Sequence, residues 1–306
     1  QVKGDAYDYY IAGNEDTDLF EKIFLVDDIV EEICKPDKYF LIGEKGSGKT
    51  AYSVYMSKSD KINSFCSISL VENTLYQRFL NMKRQKALEL SSFKDVWINL
   101  IYLILAEKIR KEYGETFFSS IKYKQLSKAI DVFYSDAFKP EFVNAFEFVD
   151  NASASINSMM KQGLFSTGTK ASAETSQKYV EQSFQISLLK IRDGFEKAFM
   201  SVNLKKPTIL FVDGIDARPR DIDNEQYFEC LVGLVNAVLE MNQSFLKEKQ
   251  IKIMLLIRPD IMYKMPVHNM NQKLRNNSVL LNWVTSYRKY IDSKLFKIAE
   301  IGRAHV

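Results

Sequence analysis

The eight residues Gly43-Glu44-Lys45-Gly46-Ser47-Gly48-Lys49-Thr50 constrain this chain more than any other stretch. They fit G-x-x-x-x-G-K-[ST], and their flanks supply the context that such a loop requires. Tyr39-Phe40-Leu41-Ile42 is a short apolar run that reads as a buried strand, and Ala51 to Met56 continues as a helix. Strand, tight loop and helix in that order make the P-loop unit. Its glycines let the backbone curl until several N–H groups converge on an anion, and the helix N-terminus adds partial positive charge. Gly43, Glu44, Lys45, Gly46, Ser47, Gly48, Lys49, Thr50 and Ala51 are therefore expected to line a nucleoside triphosphate. Lys49 reaches the β- and γ-phosphates in this reading, and the Thr50 hydroxyl ligates Mg2+. ATP and Mg2+ are the expected ligands.

Around the loop, strand-like and helix-like segments alternate. Ile62 to Leu70, Pro207 to Asp213, Ile251 to Ile257 and Ser278 to Leu281 read as further strands; 223–246 and 284–299 read as helices. This alternation predicts an α/β fold, a P-loop NTPase with a mostly parallel sheet flanked by helices. From about 75 to 200 the chain is almost wholly helical in character, so a long helical insertion is expected there. Phe93, Val96, Trp97, Leu100, Ile101, Ile104 and Ile109 recur at helical intervals and predict a long amphipathic helix. The stretches 122–138, 142–160 and 179–200 repeat the pattern, while 163–177 is small and polar and reads as a loop. Residues 1–36 carry a helical pattern from Phe20 to Ile33, ended by Pro36, and read as an arm beside the P-loop domain of 37–299.

Two further signals lie at strand ends. Ile209-Leu210-Phe211-Val212-Asp213 is a buried strand closing on an acid, the Walker B position. In an α/β sheet that acid lies outside the carboxyl ends of the strands, where Asp213 would hold Mg2+. The plainer alternative is an ordinary acidic turn. Arg258 follows the next strand, where a guanidinium would face the γ-phosphate; its plainer alternative is a surface arginine ahead of a helix begun by Pro259.

The net charge of +3 is too small to argue for a nucleic-acid partner. Cys34, Cys66 and Cys230 lie far apart with no C-x-x-C pairing, which argues against a disulfide framework or zinc site and fits a reducing cytoplasm. His268 and His305 leave little material for histidine chemistry. No signal pattern opens the chain, and its most apolar stretch, Trp97 to Ala106, is too short to span a bilayer, so no membrane role is expected. The chain opens on Gln1, and 300–306 resembles the in-frame translation of a sequencing adapter; the expectation is a fragment of a longer product with an artefactual tail.

Walker A, then Asp213-Gly214-Ile215-Asp216, then Arg258-Pro259 resembles the STAND class of P-loop NTPases, with the NACHT branch the nearest likeness and AAA+ ATPases as relatives. The resemblance covers about residues 38–60 and 207–290. It implies a signalling ATPase whose nucleotide state controls homo-oligomerisation, of a kind often used in bacterial antiphage defence. In several P-loop families an N-terminal arm touches the base. The branch usually carries glutamate after the second aspartate, where this chain has Ala217, so Asp216 is the local carboxylate left to orient the attacking water. The expected catalytic set is Lys49, Asp213, Asp216 and Arg258, with Thr50 and Asp213 on the metal. The alternatives are an AAA+-like motor acting on nucleic acid through basic clusters such as 83–86 and 108–111, and a small-molecule kinase.

Overall fold

A computed structural model describes residues 5–11, 14–71, 93–119, 123–136, 188–215, 224–265 and 276–282, with single positions among 274–297. In chain order the elements are α1 (Ala6–Ile11), α2 (Asn14–Ile23), α3 (Asp28–Cys34), β1 (Phe40–Gly43), α4 (Lys49–Lys58), β2 (Phe65–Leu70), α5 (Phe93–Ser119), α6 (Lys124–Asp136), α7 (188–201), β3 (Thr208–Asp213), α8 (Asn224–Gln243), β4 (Ile251–Ile257), α9 (Pro259–Lys264) and β5 (Ser278–Leu281). They fall into two units. The first comprises 1–70, 205–216 and 250–306; the second comprises 71–204 and 217–249.

The first unit holds one five-stranded sheet, ordered β2-β3-β4-β1-β5, with every neighbour parallel. Strands β1, β3 and β4 are buried at every residue, which is why, apart from Thr208, Asp213 and Lys252, they are apolar runs rather than alternating ones. One sheet face, carrying Leu41, Ile68, Phe211, Leu256 and Val279, packs in a single core with Phe20, Ile33, Val54 and Tyr55 from α2, α3 and α4. After β1 the chain runs to the β2 edge; after β4 it crosses β1 to reach β5 at the other edge. β1 and β4 are thus neighbours from which the chain leaves toward opposite edges, and the carboxyl ends of such a strand pair are the usual ligand position in open parallel sheets.

The helical pattern expected from Phe20 to Ile33 is interrupted. Helix α2 ends at Ile23, and Asp27 begins α3 as an N-cap with extended backbone, its carboxylate accepting from Ile29 N at 3.1 Å. Phe24, between the helices, stacks on Tyr55 at 4.4 Å and meets Tyr52 edge-on at 5.1 Å. At the opposite end of the sheet, the buried Lys252 of β4 donates to the carbonyls of Ile33 and Lys35, where α3 finishes. Burial pushes this ammonium down to about 8 and the neighbouring Cys66 thiol up to about 12.

In the second unit, α5 differs from the amphipathic helix expected. Every residue from 96 to 106 is buried, as for a helix apolar on all sides, and Gly114 (φ 74°) breaks its helical geometry. Helix α8 packs on it closely enough that a side chain at Gly233 would lie 2.6 Å from Phe93 Cβ, and Trp97 Nε1 donates to Cys230 O at 3.0 Å. Arg192 of α7 donates to Glu196 at 2.8 Å and to Glu240 of α8 at 2.7 Å, and Lys94 donates to the other oxygen of Glu240. Of the basic cluster at 108–111, Arg110 is paired with Glu107. The stretches 83–86, 142–160, 163–177 and 300–306, and most of 284–299, lie outside the described residues. Among the described residues, no helix is long and apolar enough to cross a membrane.

Candidate functional site: the loop after the first strand

The loop starts where β1 stops. Gly43 is in register with Leu281 of β5, and a side chain on it would sit 2.2 Å from Ser47 Oγ and 3.0 Å from Leu281 Cβ. Only glycine lets the returning loop approach the strand this closely. Glu44, Lys45 and Gly46 are exposed at the crest. Gly46 (φ 79°) and Gly48 (φ 90°) occupy the left-handed region, where an L side chain costs about 1–2 kcal/mol. Ser47 N donates to Glu44 O at 3.1 Å and closes the turn.

Helix α4 then begins. Its N-cap is Gly48, which has no side chain to satisfy the first-turn amides of Lys49, Thr50 and Ala51. Those amides, with the helix dipole behind them, make an anion seat. Lys49 is buried and its ammonium donates to Gly43 O at 2.8 Å and Glu44 O at 3.2 Å, so it lies over the loop rather than out in solvent. Ser47 Oγ is buried with no hydrogen-bond partner, an orphan hydroxyl of the sort that a bound polar group satisfies.

Asp213 meets this loop from β3. Thr50 Oγ1 donates to Asp213 Oδ2 at 2.6 Å, and the other carboxylate oxygen accepts from Gly214 N at 2.7 Å. The turn needs Gly214, whose φ is 86°. Thr50 and Asp213 thus bring two oxygens to one point. That donor set suits a hard cation of the Mg2+ type, which takes few protein ligands and completes its shell with water and phosphate. Among the described residues there is no cluster of three or more His, Cys, Asp or Glu that could hold a metal.

Arg258 sits at the tip of β4. Because Ile42 is in register with Ile257, Arg258 follows beside Gly43. Its guanidinium forks onto Asp260, Nε to Oδ1 at 2.9 Å and Nη2 to Oδ2 at 2.8 Å. Asp216 and Ala217 lie outside the described residues.

A cavity of about 190 Å³ adjoins the loop, with Phe20, Ile23, Phe24 and Leu25 on one side and Ala51, Tyr52 and Leu281 on another. Ser47 and Gly48 form part of its wall. Tyr52 is fixed there because its hydroxyl bonds both oxygens of Asp27 at 2.9 Å. Burial, with the Asp27 charge beside it, raises the Tyr52 phenol well above its ordinary value, so it stays a donor. The only sequence signal for this cavity was the apolar end of the arm. Comparisons with known protein families, curated proteins and solved structures found no match.

Proposed function

We propose that this chain is a Mg2+-dependent P-loop ATPase that hydrolyses slowly and acts as a nucleotide-controlled switch of the STAND type. The observation that carries the reading is the 2.6 Å contact between Thr50 and Asp213. Two residues far apart in sequence, each expected on the metal for its own reason, meet beneath a loop whose glycines adopt the curl a triphosphate needs.

Bound Mg2+-ATP supplies the activated γ-phosphoryl group. The chain's own residues divide the rest. The first-turn amides of α4 hold phosphate oxygens. Lys49 exchanges the carbonyls of Gly43 and Glu44 for the β- and γ-phosphates, since an ammonium bonds an anion more strongly than a neutral carbonyl. Thr50 and Asp213 would hold the cation, whose charge would offset that of the phosphates. Asp216 orients the water, and Ala217 stands where the NACHT branch usually has a glutamate, which makes hydrolysis slow. The cavity beside Tyr52 seats the base against the arm, its apolar walls matching a flat aromatic ring. Arg258 reports the γ-phosphate, and self-association in the ATP state is the output that the STAND likeness implies.

The test is a calorimetric titration with ATP, with and without Mg2+, together with a phosphate-release assay. Tight, Mg2+-strengthened binding with turnover well below one per second is the expected result, low against the roughly 1–1000 per second of ordinary enzymes. No binding at millimolar ATP sinks the proposal.

A further inference from the structure

We infer that Asp260 competes with the γ-phosphate for Arg258 and so sets how strongly this chain distinguishes ATP from ADP. The inference rests on the reading of Arg258 as the residue that meets the terminal phosphate, and adds a counterweight built into the chain. The geometry is a complete fork. Both Nε and Nη2 of Arg258 are engaged by the two carboxylate oxygens of Asp260, at 2.9 and 2.8 Å. This is the arrangement by which a guanidinium also grips a phosphate, so the Nε–Nη2 edge cannot serve both partners together.

Position makes the competition local. Arg258 follows β4 at the level of Gly43, one strand spacing from the start of the loop, about 4.8 Å in a sheet. Pro259 fixes the backbone between the two residues, and α9 holds Asp260 in its first turn. The acid therefore stays in place while the arginine side chain chooses between it and the crevice. The pair is partly solvated, with Arg258 27% and Asp260 43% exposed at the side chain, so it restrains Arg258 without locking it. ADP has no γ-phosphate with which to break the fork. ATP does, at the cost of the Asp260 pair. The carboxylate thereby lowers ATP affinity selectively, which keeps a switch off until the triphosphate is abundant.

The experiment measures the ratio of ATP to ADP affinity by calorimetry in Mg2+ buffer, for wild type, Asp260→Asn, Arg258→Ala and the double variant. Asparagine keeps the shape and removes the charge. The ratio should rise about three- to fivefold in Asp260→Asn, the span of a partly exposed ion pair. It should fall in Arg258→Ala, and adding Asp260→Asn to that background should change nothing further. Arg258→Lys, which keeps a charge but not the fork, should show a smaller response to Asp260→Asn and guards against a fold effect of the alanine. A ratio unchanged in Asp260→Asn while Arg258→Ala lowers it overturns the competition and leaves the phosphate contact standing. A ratio unchanged in Arg258→Ala removes that contact and the competition with it. An equal rise with Arg258 absent also overturns it, because Asp260 would then repel phosphate directly. Wild type that binds neither nucleotide fails at the earlier step, the nucleotide site itself.

Discussion

Lys49 and Asp213 are a cation and an anion on one floor, and their removal should have different effects. Lys49→Ala takes away the ammonium that sits over Gly43 O and Glu44 O. Charge-assisted bonds are worth about 1.5–3 kcal/mol each, so ATP affinity should drop about a hundredfold or more by calorimetry. Equal affinity in the variant removes Lys49 from the site. Asp213→Asn keeps one acceptor oxygen for Gly214 N and turns an amide N–H2 toward Thr50 Oγ1, which can accept from it, but it carries no charge for a cation. Phosphate release should slow by about tenfold or more, about 1.4 kcal/mol of barrier per tenfold. ATP affinity should change far less. Wild-type turnover in Asp213→Asn would show that this carboxylate does not hold the metal. The placement of both residues at the loop was legible in the sequence, Lys49 from the spacing of its motif and Asp213 from its position at the end of an apolar strand. The Asp260 fork on Arg258 was not, since no motif reports which partner a side chain selects. The orphan hydroxyl of Ser47 was not legible either, because burial depends on the return of the loop against β1 and β5.

At the level of elements, β4 links the end of α3 to the middle of the sheet. Lys252 donates into the last carbonyls of α3, a cation at a helix C-terminus, but it does so buried. Its folded value of about 8 lies below the ordinary 10.5. Between those values the unfolded chain binds more protons than the folded one, so this group's contribution to stability rises with pH. It is complete above 10.5 and lost as pH falls through about 8. Lys252→Met should remove that slope. Urea unfolding at pH 7.5 and at pH 10.5 should show the wild type gaining about 3 kcal/mol relative to the variant over the interval. A constant gap would mean that Lys252 keeps its proton equally in both states. Strand boundaries were legible to within a few residues because β3, β4 and β5 are short apolar runs. The break between α2 and α3 was hidden, since Asp27 acts as a cap through its side chain while the apolar spacing runs on across it.

For the whole molecule, a ligand that binds only the folded chain raises its stability by mass action. At a hundred times its dissociation constant the gain is about 2.7 kcal/mol. Mg2+-ATP should therefore raise Tm with added nucleotide, and Lys49→Ala should abolish the rise; a thermal melt over an ATP series checks both. The division into two units was not legible, because α8 joins α5 through contacts such as Gly233 on Phe93 that local pattern does not encode. The sheet order has a consequence in time. Phe40 pairs with Leu255, and Thr208 with Ile251, so β4 alone joins the β1–β5 pair to the β2–β3 pair. During synthesis the residues of the loop are made before β3 and β4, and β1 and β3 have no shared neighbour until 251–257 leave the ribosome. Contacts this distant in sequence form slowly. A nascent chain that stops before Ile251 should leave Gly43 to Thr50 open to protease with or without ATP, and resistance should begin only in longer chains. The loop of Gly43 to Thr50 is made before the strand that joins its neighbours, and takes its final shape only after it.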